Sequence, residues 1–325
     1  MRQAMFDAQV GDDVFGDDPT VSQLQQRVAE ILNKEAALYL PSGTMANQVA
    51  MASHTSPGDE IYCEINCHVL NYEAGAPAML SGVMLSAISG ELGVFTAEQV
   101  KERLRPLDHH FAPSRLIWVE NSANRSGGCI FPLDECWRLR RLADKNGLKM
   151  HLDGARIWNV AVATGLSEAD LAAPFDSVSV CLSKGLGAPV GSLVAGSMEF
   201  IDTAHRFRKR FGGGMRQAGV IAAAGLYSVE HNRGRLVDDH RRAKTLAHAI
   251  AKLPAFKIDL DAVHTNIIIF DASPIGLTGI EVADRLKEEG VLVTHFGKKV
   301  RMVTHLDISD DDVDCAIQAL RLCFS

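Results

Sequence analysis

From about residue 20 to residue 200, short apolar runs alternate with helix-like segments, and this alternation limits the chain to few folds. Ala36 to Leu40 is apolar and ends in Pro41-Ser42-Gly43, after which Thr44 to His54 reads as a helix. Glu60 to Cys63 reads as a strand, Asn66 to Gly75 as a helix, Val83 to Ala87 as a strand and Thr96 to Leu104 as a helix capped by Thr96. Arg115 to Glu120 is a strand, and Leu133 to Lys145 a helix stopped by Asn146-Gly147. Leu148 to Leu152 is a strand ending at Asp153, Ser177 to Leu182 one ending at Ser183-Lys184, and Ser192 to Ala195 another. Strands alternating with helices predict a mainly parallel sheet covered on both faces, with ligand at the carboxyl ends of its strands. Ser42, Asp153 and Lys184 then fall along one edge.

The second half changes character. Met215 to Glu230 and Arg235 to Leu253 are long helical patterns. Short strands follow at Asn266 to Phe270, Val291 to Val293 and Val300 to Val303, flanked by helices Gly279 to Glu289 and Asp310 to Leu322. The expected organisation is a large α/β domain over 1–234 and a smaller α+β domain over 235–325. With 325 residues, 47% of them hydrophobic, there is ample material for both cores.

A net charge of −7 gives no electrostatic reason to bind nucleic acid or an anionic membrane. Seven cysteines without paired spacing argue for reduced thiols and a cytoplasmic setting. Cys63, Cys67 and His68 lack a second ligand pair at finger-like spacing, so no metal is expected. Met1 to Val14 carries Asp7, Asp12 and Asp13 where a signal peptide has a basic head and an apolar run. No apolar stretch reaches the ~18 residues of a membrane span, so a soluble protein is expected.

The strongest chemical signal is Asp153-Gly154-Ala155-Arg156, followed by Ser183-Lys184-Gly185-Leu186-Gly187. A lysine at a strand end can form a Schiff base with an aldehyde cofactor, and burial there would favour its uncharged amine. An aspartate on a neighbouring strand can keep a pyridine nitrogen protonated. Either residue alone is better read as half of an ion pair; together they point to the cofactor. In Pro41-Ser42-Gly43-Thr44-Met45-Ala46-Asn47 a strand runs through small residues into a helix. The N–H groups at the start of that helix, with the Ser42 and Thr44 hydroxyls, suit a phosphate or serve as an ordinary cap. No Walker lysine follows, which argues against a nucleoside triphosphate. His68, just after a strand, has a route to the same crevice. Arg301, inside the apolar run Val300 to Val303, needs an anion: a substrate carboxylate or an internal aspartate.

Together these segments resemble the L-threonine aldolases, a branch of the fold type I pyridoxal-phosphate enzymes. The resemblance rests on Val10 to Thr20, Pro41 to Gln48, His151 to Arg156, Cys181 to Ser192, Gly212 to Gln217 and Arg301 to His305, in that order. It implies a mainly parallel seven-stranded sheet, pyridoxal 5′-phosphate as cofactor, and retro-aldol cleavage of L-threonine, L-allo-threonine and related β-hydroxy amino acids. It implies Lys184 as the cofactor lysine, Asp153 as partner of the pyridine nitrogen and His68 stacked over the ring. Ser42, Gly43 and Thr44 would hold the phosphate, with Lys209 and Arg216 reaching in from a neighbouring subunit of a homo-oligomer, a dimer of dimers. Arg156 and Arg301 would grip the substrate carboxylate, and His110 would lie near the substrate hydroxyl.

Three departures from the family pattern stand out. A Ser-Asp-Thr stretch that members carry ahead of the Val10 motif is not among these residues, and its serine's contact with the substrate carboxylate is expected to be missing. Phe15, expected beside the substrate, replaces a frequent tyrosine, and Ala123 a usual histidine. The same electron sink would also serve an alanine racemase or a β-eliminating lyase, whereas a catalytically silent binding protein would leave Lys184 and Asp153 without a purpose.

Overall fold

A computed structural model describes residues 1–324. The chain forms two compact units, one comprising Met1–Ser122 and Phe131–Arg233, the other Ala123–Ile130 and the chain from Gly234 onward.

The first unit is built on a seven-stranded sheet of β1 (Ala36–Leu40), β2 (Glu60–Glu64), β3 (Met84–Ile88), β4 (Ser114–Glu120), β5 (Lys149–Gly154), β6 (Ser177–Cys181) and β7 (Ser192–Gly196), in the order β1-β7-β6-β5-β4-β2-β3. Only β7 runs against its neighbours. Every residue of β2, β6 and β7 is buried, as expected where helices cover both faces. Leu40 and Cys181 both pair with Ser192, so the carboxyl ends of β1 and β6 flank the start of β7. The mainly parallel α/β sheet expected from the alternating pattern is thus present, and its carboxyl edge carries the residues following β1, β5 and β6.

Local chemistry explains most boundaries. Asp18 caps helix Pro19–Leu32 by accepting from Thr20 and Val21 N–H, and that helix buries Val21, Leu24, Val28 and Leu32 along one stripe. Thr96 closes a capping box with Gln99 at the start of Ala97–Lys101. The expected helix over Asn66–Gly75 shortens to His68–Asn71, because Ala74 and Gly75 take φ values of 52° and 75°, outside the helical region. The helix expected from Met215 begins at Gly219, where the Asp18 carboxylate accepts from Gly219 N–H at 2.8 Å and a Cβ would meet the same carboxylate at 2.5 Å.

The second unit pairs β8 (Ile267–Asp271), β9 (Thr294–Phe296) and β10 (Lys299–Val303) antiparallel in the order β8-β10-β9. Its core joins Leu246 and Ile250 of helix Leu236–Ile250 to Ile268, Phe270, Leu286, Val300 and Leu320. Val291 and Val293 pack against this core from a loop, and the strand expected there begins at Thr294. The segment Ala123–Ile130 is tied in by Thr265 Oγ1 donating to Gly128 O at 3.1 Å and by Ile130 N–H donating to His264 Nδ1 at 2.9 Å. No described helix is long and apolar enough to cross a membrane.

Candidate active site

At the carboxyl end of β1 the chain turns at Pro41-Ser42 into helix Gly43–His54. Ser42 Oγ accepts from Met45 N–H at 3.1 Å, so that hydroxyl serves as the cap. The helix itself offers no carbonyl to the first N–H groups, those of Gly43 and Thr44, and the positive end of its dipole lies there. A Cβ on Gly43 would stand 2.9 Å from Cys181 Sγ, so glycine lets this start sit tight against the end of β6.

Asp153, near the end of β5, is buried at 3% exposure. Its Oδ1 accepts from Ala155 N–H at 3.1 Å and its Oδ2 from Asn47 Nδ2 at 2.9 Å. Asn47 belongs to the helix that begins at Gly43, so one helix supplies both the anion-suited N–H groups and a donor to Asp153. The second hydrogen of Asn47 Nδ2 goes to Glu73 Oε1 at 2.8 Å, and Asn47 Oδ1 accepts from Ser179 Oγ at 2.9 Å.

His68 follows β2. Its backbone N–H donates to Glu120 Oε2 at 2.6 Å, and its Nδ1 lies 2.8 Å from Glu73 Oε1. Glu73 is buried, and Gln48 Nε2 donates to its Oε2 at 2.6 Å. The hydrogen bond to Glu73 raises the pKa of His68; burial opposes that, and the charges of Asp153, Glu73 and Glu120 reinforce it. The imidazole is one-third exposed, with its Nδ1 edge held by Glu73.

Lys184 lies in the loop after β6, folded by Ala188 N–H donating to Leu182 O and Gly187 N–H donating to Lys184 O. The expected burial of Lys184 is not found: the residue is exposed, because a wide loop rather than a packed strand carries it. Arg156 is half-buried just past Asp153. Loss of water lowers its guanidinium pKa, against the charges of Glu120, Cys181 and Asp153. Neither Lys184 nor Arg156 has a side-chain hydrogen bond or ion pair among the described residues.

The cations between Arg208 and Arg216 separate into distinct parts. Arg208 is buried, pairs with Asp13 at 3.0 Å and donates to Tyr39 O. Arg216 is exposed and pairs with Asp12 at 2.7 Å, while Lys209 is exposed at the end of helix Met198–Arg210. A Cβ on Gly213 would collide with Met45 Sδ, so this loop abuts the helix start that follows Ser42. Phe15 is 72% exposed in the turn held by Asp12 and Asp13.

One sequence-predicted residue, His110, is not brought to this edge within the chain. His110 lies three residues before Pro113, whose carbonyl accepts from Glu60 N–H at the amino ends of the strands. There His110 is exposed and bonded to Asp108, so the expectation that it neighbours the other site residues fails for a single chain. The reason is topological: it precedes β4, whereas the others follow β1, β2, β5 and β6. Arg301 belongs to the second unit, on β10, where its Nη2 donates to Asn124 Oδ1 at 2.9 Å. Asn47, Gln48, Glu73 and Ser179 were not singled out from sequence, although Asn47-Gln48 is a polar pair inside an otherwise apolar helix, a signal that it meets buried polar partners.

The mainly parallel seven-stranded sheet agrees with the fold type I expectation. A crystal structure of a putative L-allo-threonine aldolase from Listeria monocytogenes superposes with a TM-score of 0.83 over 99% of this chain and 93% of its own, at 19% identity. The beta-eliminating lyase family matches residues 1–273. A probable low-specificity L-threonine aldolase 2 from Arabidopsis thaliana is 40% identical over 330 aligned residues, covering 100% of this chain and 93% of its own length. The low specificity L-threonine aldolase of Escherichia coli K12 is 39% identical over 96% of this chain and 92% of its own. The chain therefore belongs to the beta-eliminating lyase family, among its low-specificity threonine aldolases, and is a lyase.

Proposed function

We propose that this chain cleaves the Cα–Cβ bond of L-threonine, L-allo-threonine and related β-hydroxy amino acids to glycine and an aldehyde, using pyridoxal 5′-phosphate. The observation carrying this reading is the meeting, at one sheet edge, of an open helix start, a buried doubly hydrogen-bonded carboxylate and an unpartnered lysine. These groups suit the cofactor's phosphate, ring nitrogen and aldehyde in turn.

In this reading the N–H groups of Gly43 and Thr44, with the hydroxyls of Ser42 and Thr44, take the phosphate. Lys184 Nζ tethers the aldehyde. Asp153 would hold a proton at the ring nitrogen, and His68 would lie beside the ring. When bound, the cofactor supplies an electron sink for the pair left at Cα. Arg156 takes the substrate carboxylate bidentately and orients the Cα–Cβ bond. His68, whose Nδ1 is committed to Glu73, removes the β-hydroxyl proton through Nε2 or a water bound there.

The reading includes a homo-oligomer, a dimer of dimers, in which Lys209 and Arg216 reach a neighbouring subunit's phosphate. In support, both cations are exposed, and Met79 and Leu107 are 85% and 99% exposed, apolar surface that a partner would cover. The deciding assay offers L-threonine, L-allo-threonine, L-serine and L-alanine to purified protein with added cofactor. Glycine with aldehyde is the expected product; pyruvate or D-alanine in their place would overturn the reaction in favour of elimination or racemisation.

A further inference from the structure

We propose, resting on this reading of the site, that Asn47 and Glu73 are positioning residues. Asn47 bridges the carboxylates of Asp153 and Glu73, and Glu73 fixes His68, so that the ring-nitrogen partner and the histidine beside the ring form one buried unit.

The bridge uses every hydrogen-bonding group of the Asn47 amide. Its two N–H groups go to Glu73 Oε1 at 2.8 Å and Asp153 Oδ2 at 2.9 Å, and its oxygen accepts from Ser179 Oγ at 2.9 Å. Sharing one nitrogen places the two carboxylates within about 6 Å of each other, close enough for their charges to interact strongly. A neutral double donor satisfies both without cancelling either charge, as a lysine would. The amide thereby fixes Asp153 for the ring nitrogen and Glu73 for His68.

Glu73 receives three donors: Asn47, Gln48 and His68. A carboxylate only accepts, so Nδ1 of His68 carries the proton and Nε2 is left for chemistry. The groups facing His68 are Glu73 from the loop after its own helix, Asp153 from β5, Glu120 from β4 and the Tyr72 ring at 5.6 Å. All the ionisable carboxylates in this set favour the charged imidazole. Two consecutive helix residues, Asn47 and Gln48, thus hold the carboxylate that sets the tautomer and charge of the histidine.

The test is the titration of His68 by ¹⁵N-histidine NMR on the full chain, with and without pyridoxal phosphate, in the parent and in Glu73→Gln, Glu73→Asp and Asn47→Ala. Glu73→Gln should move the His68 titration to lower pH, and Glu73→Asp should restore part of the difference. Asn47→Ala should also move it, although Asn47 does not touch His68, and should weaken cofactor binding through Asp153. A His68 titration unchanged in Glu73→Gln overturns the role of Glu73, and one unchanged in Asn47→Ala overturns the bridge. Aldehyde release by the parent is measured alongside. Its absence would defeat the proposed reaction while leaving the NMR result to stand or fall by itself.

Discussion

Replacing Gly43 by alanine tests how the proposed phosphate cup is built. The backbone at Gly43 is outside the positive-φ region, so alanine is conformationally allowed, and at the first turn of a helix it costs nothing in propensity. The obstacle is steric: the new methyl would lie 2.9 Å from Cys181 Sγ and 3.6 Å from Ser192 Oγ. Cys181 is 3% exposed and its sulfur accepts from Ser192 Oγ at 3.3 Å, so it has little room to turn away. Overpacking of this kind costs about 1–3 kcal/mol. If the helix start moves outward, that energy appears as a cofactor Kd weaker by about 5- to 150-fold, since 1.4 kcal/mol is tenfold. If instead the end of β6 gives way, it appears as a lower Tm. Spectrophotometric titration of apoprotein with pyridoxal phosphate and thermal melting read the two separately. Cys181→Ala removes the colliding sulfur, so the double variant should return close to Cys181→Ala alone, with a coupling of about 1–2 kcal/mol. Unchanged affinity and Tm in Gly43→Ala, or no relief from Cys181→Ala, would refute the reasoning.

Lys184→Ala should abolish the cofactor that borohydride fixes to the protein, read by absorbance and intact mass. Mixing Lys184→Ala chains with Arg216→Ala chains should recover aldehyde release if sites are shared between subunits, and no recovery would assign both residues to the same chain's site. Because Glu73 raises the His68 pKa above the ordinary 6.5, kcat/KM should fall as pH drops through that raised value, and an acid limb below 6.5 would remove His68 as the base. Burial pushes His54 and His240 down to about 4 and His151 well below 6.5, so each is neutral in the folded chain while the unfolded chain binds protons below about 6.5. Their contribution to stability is therefore present above 6.5 and lost as pH falls toward 4. Melting at stepped pH should show this, with the slope reduced in His54→Gln. Arg208→Ala strands the buried Asp13 and should cost about 3–5 kcal/mol in denaturant unfolding, whereas Arg216→Ala on the exposed pair should cost under about 1 kcal/mol.

What could be read from sequence followed from periodicity and strand ends. The runs at Ala36, Leu148 and Ser177 gave strands whose following residues do line one edge, because parallel strands have a single carboxyl side. Positions that depend on three-dimensional closure were harder. His110 carries a residue type suited to catalysis, but only topology reveals that it precedes its strand. The helix expected over Asn66–Gly75 had acceptable propensity, yet Ala74 and Gly75 adopt left-handed conformations as Glu73 turns into the protein. Helix Met198–Arg210 is not among the elements expected from the sequence. Its buried Phe200, Ile201, Ala204 and Arg208 follow a helical stripe, and a buried arginine disguises that stripe.

The glutamate at 73 illustrates why the site exceeds its motifs. It is separated from Asn47 by β2 and from Asp153 by β3 and β4, so no local pattern joins them. Yet a buried carboxylate beside a second one is tolerable only with donors supplied to both. The helix after β1 meets that need with consecutive Asn47 and Gln48, whose side chains project from one rigid element. The same helix begins at the open N–H groups proposed to hold phosphate. Any shift of this element would therefore move the anion cup, the Asp153 donor and the His68 anchor together. Phosphate affinity, ring-nitrogen contact and histidine charge should accordingly change in concert in variants along this helix, and substitutions on its far face that leave it in place should change none of them.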